Sequence, residues 1–192
     1  YDDNYRSGTY LSHYKASNSN YTKTSTVEVT GTTGQARFLY CASKTVCYVS
    51  DSSGDIHRYE ANEDDLGATW TLTKDLSSIY NSDADLTGKE IVHMNSTTKS
   101  GETKYLYALA KSGELYKIEL NSDGNIPSGE SFEQIPLGKT PQDGTNYNFN
   151  EARIKLTDGS NDEIIITGLD KHVLLLKKNQ SGKYACCRAG LD

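Results

Sequence analysis

Residues 105–118 read YLYALAKSGELYKI: an apolar run, a Ser-Gly turn, and then a run in which apolar and polar residues alternate. A continuous apolar run of this length is typical of a strand buried on both faces, whereas strict alternation is typical of a strand with one face in solvent. The Ser112-Gly113 pair between the two runs favours a hairpin. The stretch therefore predicts two neighbouring antiparallel strands.

The alternating run occurs four times along the chain, and each copy ends on an asparagine. These asparagines are Asn18, Asn62, Asn121 and Asn179, which are 44, 59 and 58 residues apart. A Ser-Gly pair precedes the run in the first three copies. Self-similarity at a regular spacing is the mark of a repeat architecture, so the repeat determines the fold class.

Each full unit holds four runs of strand length, of which the alternating run is the third. Such a unit is predicted to be a four-stranded antiparallel meander. We place a half unit at about 5–33 and full units at about 34–87, 88–149 and 150–192, within a single repeat-containing domain. Because the half unit holds only the third and fourth runs, the chain is expected to form fourteen strands.

The tandem meanders, with the 105–118 phrase as their best-formed part, resemble the blades of β-propellers, in which four-stranded sheets repeat around an axis. The phrase is similar to blades of tachylectin-like lectins, quinoprotein-type propellers and pilus-tip adhesin propellers. The resemblance implies an all-β, propeller-like fold. Three arrangements stay open: a fragment of a larger propeller, a small four-bladed ring with one thin blade, and an open β-sandwich or β-stack.

Composition supports an all-β chain and argues against two kinds of partner. Of the 192 residues, 35% are hydrophobic and 14 are tyrosines, which favour half-buried strands. The net charge of −6 and the scattered lysines and arginines are the opposite of the basic stripe that nucleic acid requires. No run approaches the roughly 18 apolar residues of a membrane span. The chain begins at Tyr1 without a signal-peptide pattern, so we expect a processed mature protein or a piece of a longer one.

Four cysteines are present, at Cys41, Cys47, Cys186 and Cys187. Cys41 and Cys47 flank a predicted turn between adjacent strands, and we predict that they form a disulfide, with Cα atoms less than about 7 Å apart. Cys186 and Cys187 would point to opposite faces of a strand, so at most one would join the core. Four reduced thiols are the alternative. The spacing of the cysteines is unlike that of a zinc site. A disulfide favours an extracellular or cell-surface location.

Three acidic loops carry oxygen ligands at alternating positions, which suits Ca²⁺. The alternative is that these Asp, Asn, Ser and Gly residues hydrogen-bond their own backbone in turns. Calcium is the one cofactor that the sequence suggests, and otherwise none is expected. The candidate ligands are Asp83, Asp85, Asp123, Asn125, Asp158 and Asp162.

No catalytic motif stands out. The serines lie in turn-rich stretches and form no G-x-S-x-G nucleophile elbow. His13 and His57 occupy similar positions in neighbouring units, and no HxH or HExxH spacing indicates a metal site. Two carboxylates on different units could still converge for glycoside hydrolysis. We therefore expect a protein that is not an enzyme, with a secreted hydrolase as an alternative.

Tyrosines crowd the first 21 residues, and Tyr10, Tyr14 and Tyr21 are the candidate binding residues. A tyrosine offers a flat apolar ring and a polar tip, which suits contacts to protein or sugar, although alternate tyrosines also cover sheet faces. The sequence thus favours an extracellular or cell-surface module that binds protein or glycan. The alternative is a structural or tip subunit of a pilus-like surface filament, which would self-assemble through exposed strand edges.

Overall fold

The computed structural model describes most of the predicted strands. The described residues are 10–17, 20–28, 35–43, 45–52, 55–61, 70–75, 89–97, 104–137, 147–157, 163–169 and 172–190. Within these ranges, the backbone alone is described for 10–17, 20–28, 61, 70–75 and 185–190.

The described strands form one two-stranded and three four-stranded sheets. Sheet 1 contains β1 (Tyr10–Ser17) and β2 (Asn20–Glu28). Sheet 2 contains β3 (Ala36–Cys41), β4 (Val46–Asp51), β5 (Ile56–Ala61) and β6 (Trp70–Asp75). Sheet 3 contains β7 (Ile91–Ser96), β8 (Lys104–Ala110), β9 (Leu115–Leu120) and β10 (Glu133–Ile135). Sheet 4 contains β11 (Arg153–Leu156), β12 (Glu163–Leu169), β13 (His172–Lys178) and β14 (Tyr184–Gly190).

Every sheet is a meander, because neighbouring strands are consecutive in the chain and antiparallel. The predicted all-β class, the tandem meanders and the fourteen strands are confirmed within the described residues. The strands of each sheet lie inside one predicted unit, while the single-domain interpretation stays a prediction. Strand β2 spans nine residues, and its threonines, tyrosine and valine favour extended backbone.

Sheets 2 and 3 repeat the same register. Val49 pairs with His57 across the β4–β5 hairpin, as Ala108 pairs with Tyr116 across the β8–β9 hairpin. The first strands of both sheets also carry an irregularity at the same point, at Arg37 in β3 and in the equivalent place of β7. Residues of the two sheets can therefore be compared position by position.

Successive sheets pack face to face through two apolar cores. One face of sheet 3 packs on sheet 2 and the other on sheet 4. The first core contains Val46, Tyr48 and Ile56 of sheet 2, Ile91, Met94, Leu106, Ala108, Ala110, Tyr116, Ile118 and Leu120 of sheet 3, and Phe132, which directly precedes β10. The second contains Tyr107, Leu109, Leu115, Ile135 and Leu137 with Ile154, Ile164, Ile166, Leu169, Leu174 and Leu176.

The continuous apolar run of β8 predicted burial on both faces, and the equivalent second strand of sheet 4 differs. Every residue of β4 and the last five of β8 are buried. In β12, Ile164 and Ile166 are buried but Ile165 and Thr167 are only half-buried. The buried pair faces the core shared with sheet 3, while the other side of β12 faces away from that core. Continuous apolarity thus did not predict two-sided burial for β12.

The first strands of sheets 2, 3 and 4 lie side by side, because β7 contacts both β3 and β11.

Among the described residues, no helix has the length and apolarity needed to cross a membrane.

Candidate functional site

The β4–β5 hairpin brings two aspartates and a histidine to one face of sheet 2. Asp51 ends β4, and its amide donates to the Asp55 carbonyl oxygen at 3.0 Å across the turn. Opposed residues of an antiparallel pair share a face, and so do alternate residues of one strand. Asp51 and Asp55 therefore point to the same side as His57, which follows Asp55 by two residues.

The three side chains form a compact cluster, which we call the hairpin cluster (Asp51, Asp55 and His57). One ligand atom from each lies within 4.8 Å of the others. His57 Nε2 is 3.4 Å from Asp51 Oδ2, and the Asp55 amide donates to Asp51 Oδ1 at 3.0 Å. Asp51 is 0% and His57 is 1% exposed, whereas Asp55 is half-buried. Asp55 is thus the member nearest to solvent.

His57 makes unusually weak polar contacts for a buried imidazole. Its Nδ1 has no hydrogen-bond partner among the described residues. The 3.4 Å contact to Asp51 is longer than the roughly 2.7–2.9 Å of a charge-assisted hydrogen bond. Imidazole nitrogen and carboxylate oxygen are ligands of Zn²⁺ and related divalent metals. In the part of the chain that is described, this is the one group of three or more such side chains close enough to share an ion.

The hairpin cluster was not predicted from the sequence. Neither a His-x-His nor an HExxH spacing includes His57, so the sequence indicated only its position in the repeat. The pattern that could have found the cluster is Asp-x3-Asp-x-His placed across a Ser-Gly turn. Once residues 52–54 are taken as the turn of a hairpin, strand alternation puts all three side chains on one face.

A second polar region lies along the adjacent first strands, and we call it the first-strand seam (Phe38, His93, Asn95 and Ile154). The rings of Phe38 and His93 lie 4.7 Å apart between β3 and β7. The Ile154 amide of β11 donates to His93 Nδ1 at 3.3 Å, and Asn95 Nδ2 donates to the Ile154 carbonyl at 3.1 Å. The seam therefore joins sheets 2, 3 and 4 through three consecutive first strands.

His93 acts in the seam as a neutral acceptor. Burial, with a smaller contribution from the positive charge of Arg153, lowers the pKa of His93 to about 4. The imidazole is therefore uncharged at neutral pH, and Nδ1 can accept the hydrogen bond from the Ile154 amide. Protonation would place a donor where an acceptor is needed, so the contact belongs to the neutral ring.

The turn after β9 holds two of the predicted calcium ligands, Asp123 and Asn125. Asn121 Oδ1 accepts hydrogen bonds from the amides of Asp123 at 3.0 Å and Asn125 at 2.9 Å, as in a polar turn. Asp123 is exposed, and the Asn125 side-chain oxygen accepts a hydrogen bond from Arg58 Nη2. A guanidinium at Asn125 disfavours a second cation there. The calcium interpretation of this turn stays a prediction.

The same turn is fixed to sheet 2 by a buried tyrosine. Tyr48 donates its hydroxyl hydrogen bond to the Gly124 carbonyl oxygen at 2.6 Å. Burial raises the pKa of Tyr48 to about 12, so the hydroxyl stays protonated and remains a donor. The turn therefore has a structural role in holding sheets 2 and 3 together.

Most of the other predicted site residues have no described side chain. Four calcium candidates lie outside the described residues: Asp83, Asp85, Asp158 and Asp162. The tyrosine candidates lie on strands of sheet 1 where the backbone alone is described: Tyr10 and Tyr14 on β1, and Tyr21 on β2. Their proposed roles stay predictions.

The predicted disulfide between Cys41 and Cys47 is present. The two residues are directly opposed on β3 and β4, with a sulfur–sulfur distance of 2.10 Å and Cα atoms 4.0 Å apart. Cys186 and Cys187 lie on β14, as expected for strand residues, and their side chains are outside the description.

The chain matches no protein-family model, and its sequence matches no curated protein. What the fold defines is therefore a class: an all-β protein of repeated four-stranded antiparallel sheets. The hairpin cluster and the first-strand seam are two regions where polar side chains converge within the described residues.

Proposed function

We propose that the chain is a β-propeller-like array that serves as a non-enzymatic, extracellular or cell-surface module for binding protein or glycan. The observation that carries this proposal is the position of β7 between β3 and β11, with successive sheets packed face to face. In propellers, four-stranded meanders are repeated radially around a central channel, which is consistent with this arrangement. Because one fold hosts many functions, the binding role is argued from the surface of the first strands.

The exposed side chains of the first strands offer a suitable surface. Leu39 on β3 is 50% exposed and is the one exposed large hydrophobic residue in the described part of the chain. The side chains of Arg37 and Arg153 are 45% and 50% exposed on β3 and β11. His93 and Asn95 are half-buried on the strand between them. Exposed apolar and arginine side chains are both typical of surfaces that recognise other molecules.

The disulfide supports the proposed location. Cys41 and Cys47 are joined in the structure. Disulfides persist in oxidising compartments and are rare where thiols are kept reduced. An extracellular or cell-surface setting is compatible with this cross-link.

Binding can be tested with the labelled full chain on a glycan array and on an array of extracellular proteins. The first-strand surface is altered by Leu39→Ser and Arg153→Ala, and Lys183→Ala on an exposed turn of sheet 4 is the matched control. We expect saturable binding that weakens about tenfold in each first-strand variant, as loss of an interface side chain worth ~1.4 kcal/mol would produce. The control should bind as the unaltered chain does.

Two results would count against the proposal. Saturable binding that is unchanged in both Leu39→Ser and Arg153→Ala would exclude the first-strand surface as the site. Absence of saturable binding on both arrays would overturn the binding-module proposal itself.

A structural subunit of a surface filament is the second candidate, and the outer face of sheet 4 favours it. Ile165, Val173 and Leu175 are half-buried on that face, whereas the equivalent face of sheet 3 is buried against sheet 4. A half-buried apolar face can accept a further sheet. Sedimentation velocity should then show concentration-dependent association that Leu175→Lys abolishes and Lys183→Ala does not. A chain that stays monomeric at all concentrations would remove this candidate.

The secreted hydrolase alternative stays a prediction. Asp51 and Asp55 do converge, but Asp51 is 0% exposed. A carboxylate that acts on a sugar has to flank the scissile bond, and a fully buried one does not suit that role.

A further inference from the structure

We propose that the hairpin cluster is a binding site for one divalent transition-metal ion, of which Zn²⁺ is the best match. The ligands would be one carboxylate oxygen each from Asp51 and Asp55 and the Nε2 atom of His57. With three protein ligands, a fourth position is left for water or another small ligand, as in zinc sites with an open position.

The backbone of the hairpin places the three ligands without distortion. Asp51 and Asp55 are opposed at the end of the β4–β5 pair, and His57 lies diagonally from Asp51 on the same face. Sites on paired strands hold their side chains more precisely than sites on loops. The one half-buried member, Asp55, gives the ion a route from solvent.

The distance between His57 and Asp51 fits an ion between them better than a direct hydrogen bond. Ligand bonds of roughly 2.0–2.1 Å at a tetrahedral angle place two ligand atoms roughly 3.3–3.5 Å apart. His57 Nε2 and Asp51 Oδ2 are 3.4 Å apart. The ring is also 1% exposed and faces the carboxylates, with its Nδ1 unpartnered among the described residues. Because Nε2 makes only this long contact to Asp51 within the described part of the chain, its lone pair is available to a metal ion.

Comparison with sheet 3 shows that the cluster is not a by-product of the repeat. The equivalent positions of Asp51, Asp55 and His57 in the β8–β9 hairpin are Ala110, Glu114 and Tyr116. Ala110 and Tyr116 belong to the apolar core shared with sheet 2. Glu114 keeps a carboxylate at the Asp55 position, so the buried pair of Asp51 and His57 is what distinguishes sheet 2 from sheet 3.

The chemistry of the ligands favours Zn²⁺ over the calcium that the acidic loops suggested. Ca²⁺ takes six to eight oxygen ligands, and the cluster offers two carboxylates and a nitrogen. Imidazole suits zinc and its neighbours among the transition metals, and carboxylates complete such sites. Bound Ca²⁺ would have to leave the imidazole unused.

The test is isothermal titration of the full, oxidised chain, freed of metal by a chelator, with ZnCl2 and in parallel with CaCl2. The variants are Asp55→Asn, which alters the half-buried member, and His57→Tyr, which installs the residue of the equivalent position in sheet 3. Glu114→Gln in the β8–β9 hairpin is the matched control. Circular dichroism of each variant establishes that the sheets are retained.

We expect one equivalent of Zn²⁺ to bind and Ca²⁺ to bind at least about 100-fold more weakly, because its ligand requirement is not met. Asp55→Asn and His57→Tyr should each weaken zinc binding by at least about 100-fold, more than the roughly 10–100-fold that removing a group behind a ligand costs. Glu114→Gln should bind zinc as the unaltered chain does.

Co²⁺ provides a second readout that does not depend on heat of binding. In the unaltered chain, Co²⁺ at one equivalent should give the intense visible absorption of a four-coordinate site, and excess Zn²⁺ should remove it. A folded Asp55→Asn variant with the same zinc affinity and cobalt spectrum as the unaltered chain would overturn the proposal, and so would a chain that takes up no zinc.

Discussion

Sheets 2 and 3 have the same backbone register but carry different side chains on equivalent faces. Their hairpins have the same register, and a Ser-Gly-acid sequence lies between the paired strands in both. On equivalent faces, sheet 3 presents Ala110 and Tyr116 to an apolar core, while sheet 2 presents Asp51 and His57 to each other. The register determines which side chains are neighbours. The identity of those side chains then determines whether they form an apolar core or a polar cluster.

The largest loss of stability is expected from truncating the buried side chain that sheet 3 has in place of His57. Tyr116 is 2% exposed in the core between sheets 2 and 3. Tyr116→Ala is expected to lower the free energy of unfolding by about 3–5 kcal/mol, the usual cost of truncating a buried aromatic residue. Urea denaturation measures the loss, and Leu39→Ala at a 50% exposed position is the control. Equal losses in the two variants would contradict the importance of this core.

The next effect concerns the shared turn itself. Gly113 has a φ of 96°, and an added Cβ would lie 2.7 Å from the Phe149 ring, whereas Gly182 has a φ of 75° and no atom within 4 Å of an added Cβ. Both alanine variants should lose ~1–2 kcal/mol for the left-handed backbone. Gly113→Ala should lose a further ~1–3 kcal/mol because Phe149 has to move. Thermal denaturation of the pair isolates the contact, and identical melting temperatures would disprove it.

The disulfide is a third difference between the two sheets. Cys41 and Cys47 occupy the register positions that Ser96 and Leu106 occupy in sheet 3. The double variant Cys41→Ser, Cys47→Ser should lose about 2–3 kcal/mol of stability, as expected for a short closed loop. A reducing agent should destabilise the unaltered chain in urea denaturation but leave the double variant unchanged. A similar response in both would assign the effect to other cysteines.

The smallest effect is expected at Glu114, the turn acid of sheet 3. Burial acts to raise the pKa of Glu114, but hydrogen bonds from Lys89 and Ser112 and the Lys89 charge outweigh it, so the net pKa is lowered. The ionised carboxylate therefore adds stability above pH 4.5, and this contribution is lost as the pH falls through the folded-state pKa.

The measurement at Glu114 is the stability of the unaltered chain and of Glu114→Gln over a range of pH. At neutral pH the variant should be less stable by about 1 kcal/mol, because the 2.6 Å contact to Lys89 is only partly buried. The difference should shrink below pH 4.5. A difference that grows on acidification would contradict the lowered pKa.

The regular part of the fold could be predicted because periodicity is a local property. Alternating and continuous apolar runs located the meanders, and the spacing of Cys41 and Cys47 across a turn located the disulfide. The half-buried outer side of β12 could not be predicted, because burial of a strand face depends on which sheet packs against it. A run of isoleucines has the same sequence whether one face or both faces of the strand are covered by another sheet.

The candidate site was much harder to predict than the fold. Asp51, Asp55 and His57 have the composition of any polar turn, and their convergence needs the register of one hairpin. Asn125 shows the converse, since a residue chosen as an ion ligand accepts a hydrogen bond from Arg58, which no sequence spacing indicated. Contacts between side chains 67 positions apart in sequence are set by the packing of sheets.

The position of the disulfide has a consequence for proteolysis. Cys41 and Cys47 are linked directly across the turn between β3 and β4. A protease that cuts the backbone within residues 42–46 would therefore leave the two fragments covalently attached and both strands in their sheet. The chain would survive such a nick as one molecule, and the cut would become visible on a gel only after reduction.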